Sequence, residues 1–320
     1  MAAHQPGIGF VLIDKPHGWT SHDVVAKVRR VLGTRRVGHA GTLDPMATGV
    51  LILGIGRATR LLGAAGAADK EYLATIRLGQ STTTDDAEGD VLTTTDATGL
   101  TGEVIAPALA RFVGNISQRP SSVSAIKVDG RRSYDRIRQG EDVALPARPV
   151  TVHEFALLGR PAPAGNAVDV DVRVRCGTGT YVRALARDLG STLGVGGHLV
   201  ALRRTQSSGI PVKMCAAIDE FEVAPRVVPV AEVIRGWLPV VTGDAAAVRE
   251  LSHGRRAPLA TAAVAAAHQG ESVAVLDPDG AAVAVARVDD GLLLPSVVLV
   301  DPQAVGSLTA PSRKAMEEGS

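Results

Sequence analysis

The sequence is poor in cysteine and in aromatic residues. Its two cysteines, Cys176 and Cys215, lie far apart without a CxxC partner, which excludes a disulfide framework and a cysteine zinc site. The eight histidines are scattered and form no HExxH motif, so nothing in the sequence argues for a metal. Aromatic residues make up 3% of the chain, so any stacking on a nucleic-acid base must depend on one or two side chains.

Long apolar runs are also absent. There is no stretch of about 18 apolar residues that would suit a membrane helix. The opening residues, MAAHQPGIGF, lack the basic and apolar segments of a secretion signal. We therefore expect a soluble cytoplasmic protein that makes no membrane contact, with 45% hydrophobic residues to fill a sizeable core.

The charges are nearly balanced, at a net value of +1, but they are clustered. Clustered arginines suit local contacts with phosphate groups, although solvated helix faces explain many arginine pairs equally well. The pairs are Arg29-Arg30, Arg35-Arg36, Arg131-Arg132, Arg203-Arg204 and Arg255-Arg256.

Local patterns predict helices that interrupt a mostly antiparallel set of strands. EYLATIRLG and NAVDVDVRVRC alternate apolar and polar residues, as half-buried strands do, and the first of them directs Tyr72 inward. One helix is expected from Ser21, as its N-cap, to Gly33, and another after a glycine-rich turn with Thr180 as a possible N-cap. This order favours an α+β fold over a doubly wound one.

The composition changes after about residue 218. We predict a large domain over 1–218, a bridging segment over 219–237 and a small β-rich domain over 238–305 with a hairpin at Asp279-Gly280. Residues 306–320 are expected to be disordered. An insertion at about 119–147, which carries Arg131 and Arg132, is placed to lie over a ligand.

Two loops contain residues that suit chemistry. Asp44 lies in GHAGTLDPMATGVL, where Pro45 restricts its backbone, but an Asp-Pro in such a loop is most often ordinary turn chemistry. GTGTYVR combines a glycine turn with Arg183 at a helix start, which would suit an anion or a neighbouring carboxylate. The remaining glycine and serine clusters complete neither a nucleotide-binding motif nor a hydrolase elbow.

Five blocks, read together, are more specific than either loop. LIDKPHGWTSHDVV, GHAGTLDPMATGVL, DKEYLATIRLGQ, RPSSVSAIKVDGRRSYDRIRQG and GTYVRALARDLG follow one another in the order and spacing of a known family. Over residues 8–215 the chain resembles the TruB family of tRNA pseudouridine-55 synthases. The resemblance implies an α+β catalytic domain built on a mixed, mostly antiparallel sheet, with the insertion as an RNA-gripping element. It also implies, more weakly, a PUA-like RNA-binding domain at the C-terminus.

The resemblance assigns roles to individual residues. It makes Asp44 the essential carboxylate, Tyr72 a residue for base stacking and proton transfer, and Arg183 the partner of Asp44. The acid of the stretch TTTDDAEG aligns better with Asp86 than with Asp85. The residues implied in substrate binding are His39, Tyr72, Tyr181, Leu202, Lys15, Asp86, Arg131 and Arg132.

The implied reaction is the isomerisation of uridine 55 in the T-arm of tRNA to pseudouridine. The uridine would flip out of its stack, and His39 would occupy the space that the base leaves. No metal or cofactor and no protein partner is implied, and the family precedent favours a monomer. Two other possibilities remain open: a non-catalytic RNA-binding or tRNA-folding protein on the same scaffold, and a guide-RNA-dependent relative in a ribonucleoprotein.

Overall fold

A computed structural model describes residues 7–121, 127–128, 131–132, 146–259 and 268–301. Most of the predicted insertion and the whole predicted tail at 306–320 lie outside these residues. Arg131 and Arg132 form a short strand that pairs with Lys127–Val128, and their side chains lie outside the description.

The larger part of the described chain is built on an 11-stranded sheet. Its main path runs β14-β1-β3-β12-β4-β11-β10-β7, with β2 beside β3, β13 beside β12 and β15 beside β1. All pairs are antiparallel except β1 with β14 and β3 with β12. The strands are β1 Gly9–Lys15, β2 Val37–Ala40, β3 Thr48–Ile55, β4 Lys70–Leu78, β7 Gly114–Gln118, β10 Arg148–Ala164, β11 Ala167–Cys176, β12 Gly197–Ser207, β13 Ile210–Pro211, β14 Ala216–Ala217 and β15 Val228–Pro229.

Two small pairs of strands lie outside this sheet. They are β5 Gln80–Thr82 with β6 Val91–Thr94, and β8 Lys127–Val128 with β9 Arg131–Arg132. The described helices are α1 Ser21–Leu32, α2 Leu62–Ala67, α3 Gly102–Ala110, α4 Val182–Thr192, α5 Ile218–Val223, α6 Val230–Ile234 and α7 Ala245–Ser252. The α+β class and the mostly antiparallel sheet are therefore confirmed.

The alternating strands β4 and β11 pair as their sequences require. Tyr72 lies opposite Val174, and both side chains are buried. The inward residues of the two strands join the apolar core beneath helices α3 and α4. The prediction that Tyr72 points inward is confirmed.

Helix α1 begins one residue earlier than the sequence analysis expected. Thr20, and not Ser21, is the N-cap: its hydroxyl accepts a hydrogen bond from the Asp23 backbone N–H at 3.1 Å, and Asp23 Oδ2 accepts one from the Thr20 N–H at 2.8 Å. A carboxylate three residues after the cap selects Thr20 for this reciprocal arrangement. Gly33 ends the helix in the left-handed region, with φ at 63°, as expected.

Helix α4 also lacks its expected cap. Thr180 donates its hydroxyl to the Gly177 carbonyl at 3.1 Å, which closes the glycine turn, and Tyr181 is the N-cap residue with no capping by its own side chain. The first turn of α4 therefore depends on contacts from elsewhere in the chain.

The C-terminal residues form a second sheet of five strands in the order β16-β18-β19-β20-β17. These are β16 Val240–Thr242, β17 Ala257–Pro258, β18 Ser272–Leu276, β19 Ala282–Asp289 and β20 Leu292–Val298. The expected hairpin at Asp279-Gly280 joins β18 to β19. The expected bridging segment 219–237 is more integrated than a linker, because its strand β15 pairs with β1 of the large sheet.

Candidate active site

Asp44 lies in the connection between β2 and β3. The loop turns at Gly41, which has φ at 73°, and closes with a hydrogen bond from the Ala47 N–H to the Asp44 carbonyl at 3.1 Å. The Asp44 side chain is 38% exposed, so its carboxylate is accessible from outside the protein.

Ser21 anchors the residue before Asp44. Its hydroxyl accepts from the Leu43 N–H at 2.9 Å and donates to the Leu43 carbonyl at 3.2 Å. Because Thr20 caps α1, the buried Ser21 hydroxyl is free for this second task. The residue that we expected to cap a helix instead fixes the backbone next to Asp44.

Lys15 occupies a different place from the expected substrate contact. Its side chain is fully buried, and its ammonium group donates to the carbonyls of Pro16, Trp19 and Pro45 at 2.9, 2.5 and 3.2 Å. Burial lowers the pKa of this amine to about 8. Lys15 thus joins β1 to the residue after Asp44 and does not reach the surface that an RNA would touch.

Arg183 joins two carboxylates. Its Nε lies 3.0 Å from Asp44 Oδ2, and its Nη1 lies 3.5 Å from Asp86 Oδ2 and donates to the Thr84 carbonyl at 3.0 Å. The Arg183 and Asp86 side chains are about 5% and 4% exposed, so Asp44 is the open end of this network. Asp86, expected at the substrate, lies behind Arg183, whereas Asp85 pairs with Arg187 at 3.0 Å.

Tyr72 projects from β4 beside the Asp44 loop. Burial raises the pKa of its phenol, although the hydrogen-bonded Arg204 side chain opposes this shift. The phenol is therefore protonated at neutral pH and can act as a proton donor.

Arg204 is the residue that the sequence analysis missed. It is only 1% exposed, and it donates from Nε to the Val50 carbonyl at 2.7 Å and from Nη2 to the Gly41 carbonyl at 3.0 Å. These carbonyls lie on either side of the Asp44 loop. Its neighbour Arg203 points the other way and pairs with Asp14 at 2.6 Å, so neither member of this pair is a free phosphate contact. Strand alternation was the available signal, because it separates two adjacent residues into one inward and one outward side chain.

A cavity of about 260 Å³ opens beside Asp44. It brings together five of the residues expected from the sequence, which are Asp44, Tyr72, Tyr181, Arg183 and Leu202. Glycine turns at 41 and at 177–179 form part of its wall, and Lys70 and Arg204 complete the polar lining. The cavity therefore combines a carboxylate, an arginine and two tyrosines.

Three expected residues do not line this cavity. They are Lys15 and Asp86, described above, and His39, which lies on β2 with its ring edge-on to His22 at a centroid distance of 5.5 Å. The His39 Nδ1 is buried without a hydrogen-bond partner. Burial, followed by the nearby His22, lowers the pKa of His39 to about 4, so its ring is neutral at physiological pH.

Within the described ranges, no cluster of three or more His, Cys, Asp or Glu side chains is arranged to hold a metal ion. None of the helices seen in residues 7–301, gaps aside, is long and apolar enough to cross a membrane.

The fold matches solved structures over nearly its whole length. One is titled "Crystal Structure of a Cbf5-Nop10-Gar1 Complex" and aligns with a TM-score of 0.68 and 28% identity over 93% of this chain and 86% of that one. Another, "Structure of H/ACA RNP bound to a substrate RNA containing 2'-deoxyuridine", aligns with a TM-score of 0.66 and 25% identity over 92% and 86% of the two chains. The fold is that of a Cbf5/TruB-type pseudouridine synthase.

Family models narrow this class. Residues 29–182 match the model described as "TruB family pseudouridylate synthase (N terminal domain)", and residues 183–228 match "tRNA pseudouridylate synthase B C-terminal domain". Two relatives named "tRNA pseudouridine synthase B" support the match. The one from Thermobifida fusca is 51% identical over 91% of this chain and 98% of its own length, and the one from Mycolicibacterium paratuberculosis is 50% identical over 92% and 98%. The chain belongs to the TruB family of pseudouridine synthases.

Proposed function

We propose that this protein converts uridine 55 in the T-arm of tRNA to pseudouridine. The observation that carries the proposal is the Arg183–Asp44 ion pair at the mouth of a cavity that also holds Tyr72 and Tyr181. The substrate class follows from relatives that share half of their residues with this chain along almost their full length and are named for action on tRNA.

The reaction breaks the N1–C1′ bond of the uridine, turns the uracil over and forms a C5–C1′ bond, while the proton at C5 is lost and one is gained at N1. Atoms balance without a cosubstrate. Asp44 has three routes to assist: attack on the sugar, attack on the base, or removal of the C2′ proton. Each route needs a carboxylate held at a fixed point, which Arg183 on one side and the Ser21 and Lys15 anchors on the other provide.

The target base must leave its stack to reach Asp44, at a cost of a few kcal/mol. We assign Tyr72 to stacking on the flipped uracil and, as a protonated phenol, to proton transfer. Tyr181 and Leu202 would form the rest of the pocket wall. His39 would enter the space in the RNA, for which a neutral ring is better suited than a charged one.

Basic residues away from the cavity would hold the RNA backbone. Arg131 and Arg132 of the insertion are assigned to phosphates by their sequence context. Arg35 and Arg36 are exposed at the outer end of β2 and border a groove of about 1150 Å³ that also touches Gly280 of the C-terminal sheet. This position supports RNA contact by both sheets, with the C-terminal one acting as the PUA-like element.

We further propose that the protein works in the cytoplasm as a monomer, without a protein partner. The solved complexes with Cbf5 contain partner proteins, but the relatives that cover 98% of their own length with this chain are named as single synthases. Opening the tRNA elbow to reach the uridine would also give the protein a tRNA-folding activity.

The direct test is to incubate the purified protein with an unmodified tRNA transcript and to map pseudouridine by position. We expect modification at uridine 55 and none in a transcript with cytidine there. A bare T-arm stem-loop should also be modified, because no guide RNA is needed. Modification at another uridine would replace the substrate site, and no modification of either RNA would reject the proposal.

A further inference from the structure

Gln118 is buried away from the reacting groups but bound to the segment that carries one of them. It is the last residue of β7, where the chain enters the predicted insertion, and it is 1% exposed. Its Nε2 donates to the Tyr181 carbonyl at 3.0 Å, and its Oε1 accepts from the Tyr181 N–H at 2.8 Å. One amide side chain thus satisfies both backbone groups of Tyr181.

These two bonds fix the start of helix α4. Tyr181 is the N-cap residue and does not cap the helix with its own side chain. Gln118 therefore sets the position of the first turn, and Arg183 follows within that turn. Because Arg183 is stretched between Asp44 and Asp86, a displacement of this turn would lengthen the 3.0 Å contact with Asp44.

A second contact, one helical turn later, strengthens the same link. Arg187 Nη2 donates to the carbonyl of Arg119, the residue after Gln118, at 2.7 Å, and Arg187 Nη1 donates to Asp85 Oδ2 at 3.0 Å. Asp85 adjoins Asp86, the rear partner of Arg183. Spaced four residues apart, Arg183 and Arg187 share one face of α4. The end of β7 is therefore tied to both the front and the rear of the Arg183 network.

We propose that Gln118 is a positioning residue for pseudouridine formation, acting through Tyr181 to place Arg183 against Asp44. The inference rests on the proposed function. It assigns to the base of the insertion a second role besides RNA contact, which is to hold the N-terminal turn of α4 in register with the Asp44 loop.

The test compares Gln118→Met with Gln118→Glu. Methionine keeps the volume but removes both hydrogen bonds, so kcat at saturating tRNA should fall about 10-fold while the Kd for tRNA changes less than about twofold. A protonated glutamic acid offers one acceptor and one donor, as glutamine does. Burial raises the pKa of such a carboxyl group. Gln118→Glu should therefore approach the wild-type kcat at pH 6 and lose activity as the pH rises, whereas Gln118→Met should remain low throughout.

Gln269→Met is the matched control. Gln269 also uses both amide atoms, on Asp289 and on the Asp290 N–H, but it lies on the C-terminal sheet and should leave kcat unchanged. Circular dichroism at each pH would verify that all variants are folded. A Gln118→Met kcat within about twofold of wild type, or a Gln118→Glu activity that does not depend on pH, would overturn the inference alone; the absence of wild-type activity would overturn the proposed function as well. If Gln118→Met does not fold, the pH profile of Gln118→Glu decides.

Discussion

The two sheets of this protein bury different kinds of side chain. Around the Asp44 loop the large sheet buries Lys15, Arg183 and Arg204, together with the carboxylate of Asp86. In the described part of the C-terminal sheet and its helix, the buried polar residues are Ser252 and Asp277, each bonded to nearby backbone. Apolar packing accounts for the rest of that second core.

The difference shows where the fold carries a cost. Burying a charged side chain is unfavourable unless its partners replace water. Near Asp44 each buried cation meets that condition by binding carbonyls or carboxylates of the loop and its neighbours. The C-terminal sheet has no such constraint. The buried charges therefore mark the region whose geometry matters for chemistry.

The largest effect should come from making the same substitution in both regions. Asp44→Asn removes the charge that pairs with Arg183, and we expect product formation to fall by at least about 10³-fold. Asp277→Asn keeps an acceptor for the Ala281 N–H and should leave the rate unchanged. Both would be measured as tritium release from labelled tRNA, with binding measured separately. Equal rates for the two variants would remove the contrast between the regions.

Tyr72→Phe tests whether the phenol does more than stack. The ring remains while the hydroxyl, which is protonated because burial raises its pKa, is lost. We expect single-turnover rates to fall by about 10²-fold with a small change in tRNA affinity. Wild-type rates would restrict Tyr72 to stacking.

Arg204→Met and Ser252→Ala compare the buried polar groups themselves. Loss of Arg204 leaves the Val50 and Gly41 carbonyls without donors, which should cost roughly 2 kcal/mol in the free energy of unfolding and should also lower activity. Ser252→Ala removes one bond to the Arg249 carbonyl, at about 1 kcal/mol, with full activity retained. Urea denaturation and the tRNA assay would check both. Full activity in Arg204→Met would mean that the loop does not depend on its buried cation.

The smallest effect concerns pH. Since the pKa of His39 is lowered from 6.5 to about 4, the unfolded chain binds an additional proton in this interval. The free energy of unfolding should therefore decrease as the pH falls from 6.5 towards 4. In His39→Asn this decrease should be smaller than in wild type, as measured by urea denaturation at several pH values. An unchanged pH dependence would place the loss of stability on other groups.

Strand patterns predicted the fold better than the site. The alternation in β4 correctly placed Tyr72 inside, because a half-buried strand has one face in the core. The same rule, applied to β12, would have separated Arg203 from Arg204. It was not applied there because adjacent arginines suggest a surface, and a buried arginine is rare without partners.

Asp44 and Arg183 could not be joined from local sequence. They are 139 positions apart in a chain whose loop conformations, taken singly, indicate only turns and a helix start. Family resemblance supplied the pair, and the structure supplied what surrounds it: the Ser21 and Lys15 anchors depend on which side chain caps α1 and on where the Pro45 carbonyl points. Such choices are made by tertiary packing.

The most direct test of the account is to map pseudouridine in the tRNA of cells that lack this protein and of the same cells complemented with wild type or Asp44→Asn. We predict that uridine 55 is unmodified in the deletion, modified with wild type and unmodified with Asp44→Asn at equal protein levels. Pseudouridine at that position in the deletion, or its restoration by Asp44→Asn, would contradict the account.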